Sequence, residues 1–253
     1  MLGRWAVQFR TFLTMSPFRY THAVVCRIPD SFKNNAVGIS ASIDLAKARK
    51  QHEVYVATLR EIGLDVIELP ADENHPDCVF VEDVAVVCNG TALLTKPGHP
   101  SRKNEVEYMR TILKNELELP VIEISDETAT LDGGDVGHHL HLKCCVTMAG
   151  PDVMCVGSSP EAKDILKRIE REATFRYQTL TVPDDRASNV VFANGYLIHH
   201  SAEEFPAAAK VFEEKLSHWT LKPITMTEIG KAQGDLTCCS ILIRKTRHLK
   251  NIM

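Results

Sequence analysis

NVVFANGYLIHHSAEEFPAAAKVFEEKLSHWTLKPITM, residues 189–226, holds one complete repeating unit of this 253-residue chain. The apolar runs NVVF (189–192) and YLIHH (196–200) flank Ala193-Asn194-Gly195. Asn-Gly accepts the positive φ angles that a tight hairpin turn demands, so the two runs read as paired strands. Ser201 followed three residues later by Glu204 has the spacing of a capping box, which predicts a helix opening there. PITM (223–226) closes the stretch as a third strand.

The order strand, strand, helix, strand recurs along the chain. VAVVC (84–88) and TALLT (91–95) precede a predicted helix over about 101–117 and a strand at VIEIS (121–125). Val106, Met109, Ile112 and Leu113 share one face of that helix at helical spacing. KCCVTM (143–148) and VMCVG (153–157) lead to a helix with Ser159 as N-cap and Pro160 at its first position, then TLTVP (179–183). HAVVC (22–26), a long helix over about 43–62 and DVIELP (65–70) form a partial unit. Alternation of this kind defines an α/β arrangement with internal pseudo-symmetry. With no low-complexity linker between units, residues 21–253 read as one domain behind a 20-residue N-terminal extension.

The chain is 44% hydrophobic and 25% charged with a net charge of −4, and it has no apolar run near the ~18 residues of a membrane span. A bulk attraction to nucleic acid is not expected, nor is a membrane partner. Eight cysteines without a secretory signal read as reduced thiols of a cytoplasmic protein. The opening MLGRWAVQFRTFLTMSPFRY carries Arg4, Arg10 and Arg19 and no acid, which makes a mitochondrial transit peptide the alternative.

Polar residues gather where the predicted strands end. PDCVFVEDVAVV contributes Asp77, Glu82 and Asp83, TATLDGGDV contributes Asp132 and Asp135, and HHLHLK contributes His138, His139 and His141. LTCCSILI places Cys238 and Cys239 at the mouth of an apolar strand. A thiolate is a strong nucleophile near neutral pH, and a histidine beside it serves as its acid and base. A carboxylate behind the histidine fixes the tautomer, and further carboxylates suit a planar cation such as a guanidinium. Bland readings exist for each feature. Strand-borne cysteines such as Cys144, Cys145 and Cys155 are ordinarily inert small apolar residues, and Asp132 before two glycines fits a plain tight turn. The soft and imidazole donors His138, His139, His141, Cys144 and Cys145 match no standard zinc spacing, so no metal is expected.

VFVEDVAVV (79–87), TALLTKPGHPSR (91–102), ATLDGGDV (129–136), LHLK (140–143), MAGPD (148–152), LTVPDD (180–185) and LTCCSILI (236–243) resemble, in order, the motifs of the dimethylarginine dimethylaminohydrolase family. The resemblance covers nearly everything from Thr21 to Lys245. It implies a five-bladed α/β propeller of ββαβ units around a central site. It also implies that Cys238 is the nucleophile, His141 the general acid and base, and Asp132 the carboxylate that orients it. Asp77, Glu82, Asp83 and Val37 become substrate contacts, and Arg102 one of two arginines gripping the substrate carboxylate. The implied reaction is hydrolysis of asymmetric dimethylarginine or monomethylarginine to citrulline and the methylated amine through a thiouronium on Cys238. No cofactor is needed, and the resemblance is compatible with a monomer or weak homodimer.

One departure is large. Nine positions separate Asp132 from His141, where the family carries a whole further ββαβ unit, so one blade is missing after Val136 together with the second arginine. A ring deprived of one blade contracts or stays open, exposing apolar faces. The alternative functional reading is therefore a shortened, non-catalytic isoform or guanidine-binding pseudoenzyme. KAQGD (231–235), before Leu236, is a second, smaller departure in a loop expected to line the pocket.

Overall fold

A computed structural model describes residues 19–126, 128–134 and 142–245. Its strands form four three-stranded sheets, each with the pairing that the ββαβ order dictates. In the blade that contains residues 189–226, β9 (Val191–Ala193) and β10 (Tyr196–His200) pair antiparallel, and β11 (Thr220–Ile224) joins β10 in parallel. Asn194 and Gly195 have φ angles of 55° and 87°, the conformation that the Asn-Gly dipeptide accepts.

The same pattern organises β3 (Ala85–Cys88), β4 (Thr91–Leu94) and β5 (Val121–Glu123), and again β6 (Val146–Met148), β7 (Val153–Val156) and β8 (Gln178–Thr181). The partial N-terminal unit is completed from the far end of the chain. β1 (His22–Cys26) runs parallel to β2 (Asp65–Leu69), while β12 (Ile241–Ile243) pairs antiparallel on its other side, Ala23 opposite Leu242. The strand after the cysteine pair therefore ties the two ends of the fold together.

Four helices cover the blades: α1 (Leu45–Glu61), α2 (Glu105–Thr111), α3 (Pro160–Glu172) and α4 (Pro206–Lys215). Asp44 caps α1 by accepting the Lys47 N–H at 3.0 Å, and Ser159 caps α3 with Pro160 at the first position. Two helical expectations change. The helix expected over 101–117 is a 3₁₀ turn at Pro100–Arg102, then α2, then a π-turn at Ile112–Glu116. The break follows Arg102, whose side chain turns inward to buried acceptors, and the wide turn delivers Ile112, Leu113 and Leu117 to the core. No capping box forms at Ser201 and Glu204. A residue before proline resists helical angles, so α4 opens only at Pro206, behind Phe205 at φ −134°. Ser201 instead bonds the Thr225 hydroxyl at 2.8 Å, and Glu204 accepts the Met226 N–H at 2.6 Å. KCCVTM is also only half strand, because Leu142–Cys144 is a 3₁₀ turn.

The blades pack on one another through a few element pairs. β3 packs against β12, α1 against β11, and β6 against β9. α1 buries Ala48, Tyr55, Val56 and Leu59 in a core shared with Ile198 and Ile224 of the last complete blade. Burying each large side chain of that kind contributes roughly 1.5–3 kcal/mol. The blade of β6–β8 is covered more thinly: of α3 only Ala162 is buried, and Ile165, Leu166 and Ile169 stay half-exposed over Val146, Met154 and Val156. This blade directly follows the point where the family's extra unit is absent. The first strands of all four blades, β3, β6, β9 and β12, line a central cavity of about 390 Å³.

Candidate active site

Cys238 lies in a 3₁₀ turn, Thr237–Cys239, immediately before β12. The turn is held from two sides. Thr237 donates its hydroxyl to Glu82 Oε2 at 2.8 Å, and its N–H to Asn189 Oδ1 at 2.9 Å. Asn189 also donates to the Lys143 carbonyl at 3.1 Å, and Lys143 Nζ returns to Glu82 Oε1 at 2.5 Å. Glu82, Lys143, Asn189 and Thr237 thus form a closed circuit with one member from each blade, and Glu82, Lys143 and Thr237 line the central cavity. Tyr55 reaches the same region from α1 through a 2.8 Å bond to Ser240 Oγ.

The Cys238 thiol is 3% exposed. Burial pushes its pKa well above the ordinary thiol value, and Glu82, Asp83 and Asp235 push it further, because each disfavours a second negative charge nearby. Cys239 is shifted the same way, again mainly by burial. Cys238 rests as a thiol in an acidic, buried setting.

The expected acidic contacts take three different places. Asp77 accepts the Val37 N–H at 3.0 and 3.2 Å, which brings together two positions named from the resemblance. Glu82 belongs to the circuit. Asp83 pairs with Arg102, which also bonds Glu105 at 2.7 Å and the carbonyls of Asp77 and Phe80 at 3.2 and 3.0 Å. Arg102 is 7% exposed, and its guanidinium is spent on protein acceptors in this structure. It acts here as the internal clamp of the Asp77–Asp83 segment.

Asp132 follows Leu131, which bridges Lys96, and precedes Gly133, whose N–H donates to the Asp83 carbonyl at 2.9 Å. A Cβ at Gly133 would fall 1.9 Å from the Glu82 carbonyl oxygen. That close approach, rather than a positive φ, explains the first glycine after Asp132, and it seats Asp132 beside the Glu82–Asp83 turn. His141 lies outside the described residues, as do Asp135, His138 and His139. Among the described residues no three or more His, Cys, Asp or Glu are grouped to hold a metal ion.

Several residues of the site carry no signal a single sequence reveals. Lys143, Asn189 and Thr237 matter through partners 46 to 155 positions away. Asp235, the acid of the KAQGD departure, is buried against Arg186 at 2.5 Å and His200 at 3.5 Å. Burial pushes its pKa up, partly offset by His200 and Arg186.

The repeated ββαβ units define a mixed α/β protein of the propeller type. Dimethylarginine dimethylaminohydrolase from Pseudomonas aeruginosa, solved as a cysteine-to-serine mutant complexed with citrulline, superposes with a TM-score of 0.74 at 21% identity, covering 89% of this chain and 100% of that one. The N-terminal domain of a cyanobacterial arginine dihydrolase superposes at 0.70 with 16% identity, covering 88% and 97%. The family model described as N,N dimethylarginine dimethylhydrolase, eukaryotic, matches residues 23–143. The Homo sapiens and Bos taurus proteins named "Putative hydrolase DDAH2" are each 30% identical over 278 residues, spanning 91% of this chain and 96% of theirs. This chain belongs to the dimethylarginine dimethylaminohydrolase family. Since 91% of 253 residues is about 230, roughly 48 of the 278 aligned positions have no counterpart here, the size of one ββαβ unit.

Proposed function

We propose that the protein hydrolyses Nω-methylated arginines, releasing citrulline and mono- or dimethylamine. The observation that carries this reading is the placing of Cys238 among Glu82, Asp83 and Asp235, in a turn locked to Glu82 through Thr237. A guanidinium entering this group of carboxylates supplies the positive charge that the resting thiol lacks, and so favours its ionisation. The Cys238 thiolate then attacks the guanidinium carbon, forming a C–S bond and a tetrahedral adduct. His141 gives a proton to the departing amine as the C–N bond breaks, leaving a thiouronium on Cys238. The same imidazole takes a proton from water, whose oxygen attacks the carbon and becomes the ureido oxygen of citrulline as the C–S bond breaks. Asp132 orients His141, and Asp77 with Val37 borders the substrate.

Citrulline release from asymmetric dimethylarginine tests this directly. Wild type is expected to turn over, and Cys238→Ser and His141→Ala to lose turnover while retaining binding measured by calorimetry. Wild-type protein that binds methylarginine without forming citrulline would overturn the catalytic reading. That result would favour the guanidine-binding pseudoenzyme, which the shortfall of about 48 aligned positions supports.

A further inference from the structure

We propose that Cys26 and Cys78 form a second reactive thiol site, a dithiol that takes disulfide-bearing small molecules and closes to an intramolecular disulfide. Cys26 ends β1, and Cys78 lies in the loop after β2, directly following Asp77. Their sulfurs converge on one carbonyl, with Cys26 Sγ 3.6 Å and Cys78 Sγ 3.8 Å from Arg27 O. Cys26 also reaches the Pro70 carbonyl at 3.3 Å, and Cys78 the Asp72 carbonyl at 3.9 Å. Each thiol is thereby the charged-state neighbour of the other.

Both line a cavity of about 250 Å³ between the first two blades, bordered by Asp72, His75, Glu105 and Tyr108. Cys78 is half-buried and Cys26 is buried, which gives them different roles. The neighbouring Cys26 pulls the Cys78 thiol below the usual range, with burial opposing it, while Cys78 and burial push Cys26 up. A thiol that is accessible and more readily ionised attacks first, and its buried neighbour resolves. With no further His, Cys, Asp or Glu grouped with them to hold a metal among the described residues, the pair suits disulfide exchange better than a closed metal site.

The exchange balances with one equivalent of a small disulfide such as oxidised glutathione. The Cys78 thiolate attacks one sulfur of that disulfide, forming a mixed disulfide and expelling one glutathione thiolate. Cys26 then loses its proton and attacks Cys78 Sγ, forming the Cys26–Cys78 bond and expelling the second glutathione. The dithiol is oxidised by two electrons, and the oxidant is reduced to two thiols. The product ties β1 to the segment that carries Asp77 and closes a loop of 52 residues, since 78 − 26 = 52, so it constrains the unfolded chain.

The test is to treat folded wild type with oxidised glutathione and map it by mass spectrometry without reduction. The expected result is a Cys26–Cys78 linked peptide lighter by two hydrogens, reversed by a thiol reductant, with a higher melting temperature in the oxidised form. Cys26→Ser is expected to hold a stable glutathione adduct on Cys78, and Cys78→Ser to give neither cross-link nor adduct at Cys26. A wild-type adduct that persists on Cys78 unresolved, or reaction confined to the exposed Cys88, would overturn the proposal.

Discussion

Arg102 holds two buried carboxylates and two buried carbonyls at once. It neutralises Asp83 and Glu105 and satisfies the Asp77 and Phe80 carbonyls from a site 7% exposed to solvent. Removing one partner of such a pair strands the others. Arg102→Ala is therefore expected to cost about 3–5 kcal/mol in urea denaturation, and Arg102→Lys to recover little, because an ammonium cannot reproduce the fork. His52 gives a pH dependence. Burial lowers its pKa to about 4 from an ordinary 6.5, and its Nε2 has no hydrogen-bond partner among the described residues. The folded state holds this imidazole neutral, so its contribution is complete above pH ~6.5. Stability falls as pH drops from there towards about 4, by on the order of 3 kcal/mol. His52→Leu should flatten that limb of the pH–stability curve, and an unchanged limb would contradict the assignment.

At the scale of elements, helix starts separate real caps from apparent ones. Ser159 Oγ accepts the Ala162 N–H at 3.0 Å, so Ser159→Ala is expected to cost about 1 kcal/mol. Ser201 satisfies every sequence rule for a cap but bonds Thr225 instead, so Ser201→Ala should leave the start of α4 intact. Amide exchange in the first turns of α3 and α4 would check both. The difference is one proline: Pro206 moves the helix start past the serine, and a Ser-x-x-Glu spacing by itself does not register that.

Across the whole molecule, the circuit of Glu82, Lys143, Asn189 and Thr237 links four blades and presents Cys238. A fold of repeated units is stabilised by its neighbour interfaces, and loss of one unit concentrates the load on those remaining. Asn189→Ala removes two members' partners at once and leaves the Thr237 N–H buried without an acceptor. It is expected to lower stability by about 1–3 kcal/mol and to depress citrulline release more than substrate binding. Equal losses in the two readouts would show that Asn189 only stabilises the fold.

What the residues determined by themselves is the repeat. Asn194-Gly195, Pro160 behind Ser159, and the apolar alternation of the strands are local choices with local causes, and they were legible together with the cysteine and the acidic clusters. The motifs from Val79 to Ile243 also carried the family. The tertiary structure alone decided that β12 completes the first blade, that Arg102 serves as an internal clamp, and that Lys143 and Asn189 hold the Cys238 turn. The physical reason is range: these are pairings between chain segments 19 to 221 residues apart, selected by burial and hydrogen-bond satisfaction among whole blades, which no local pattern encodes.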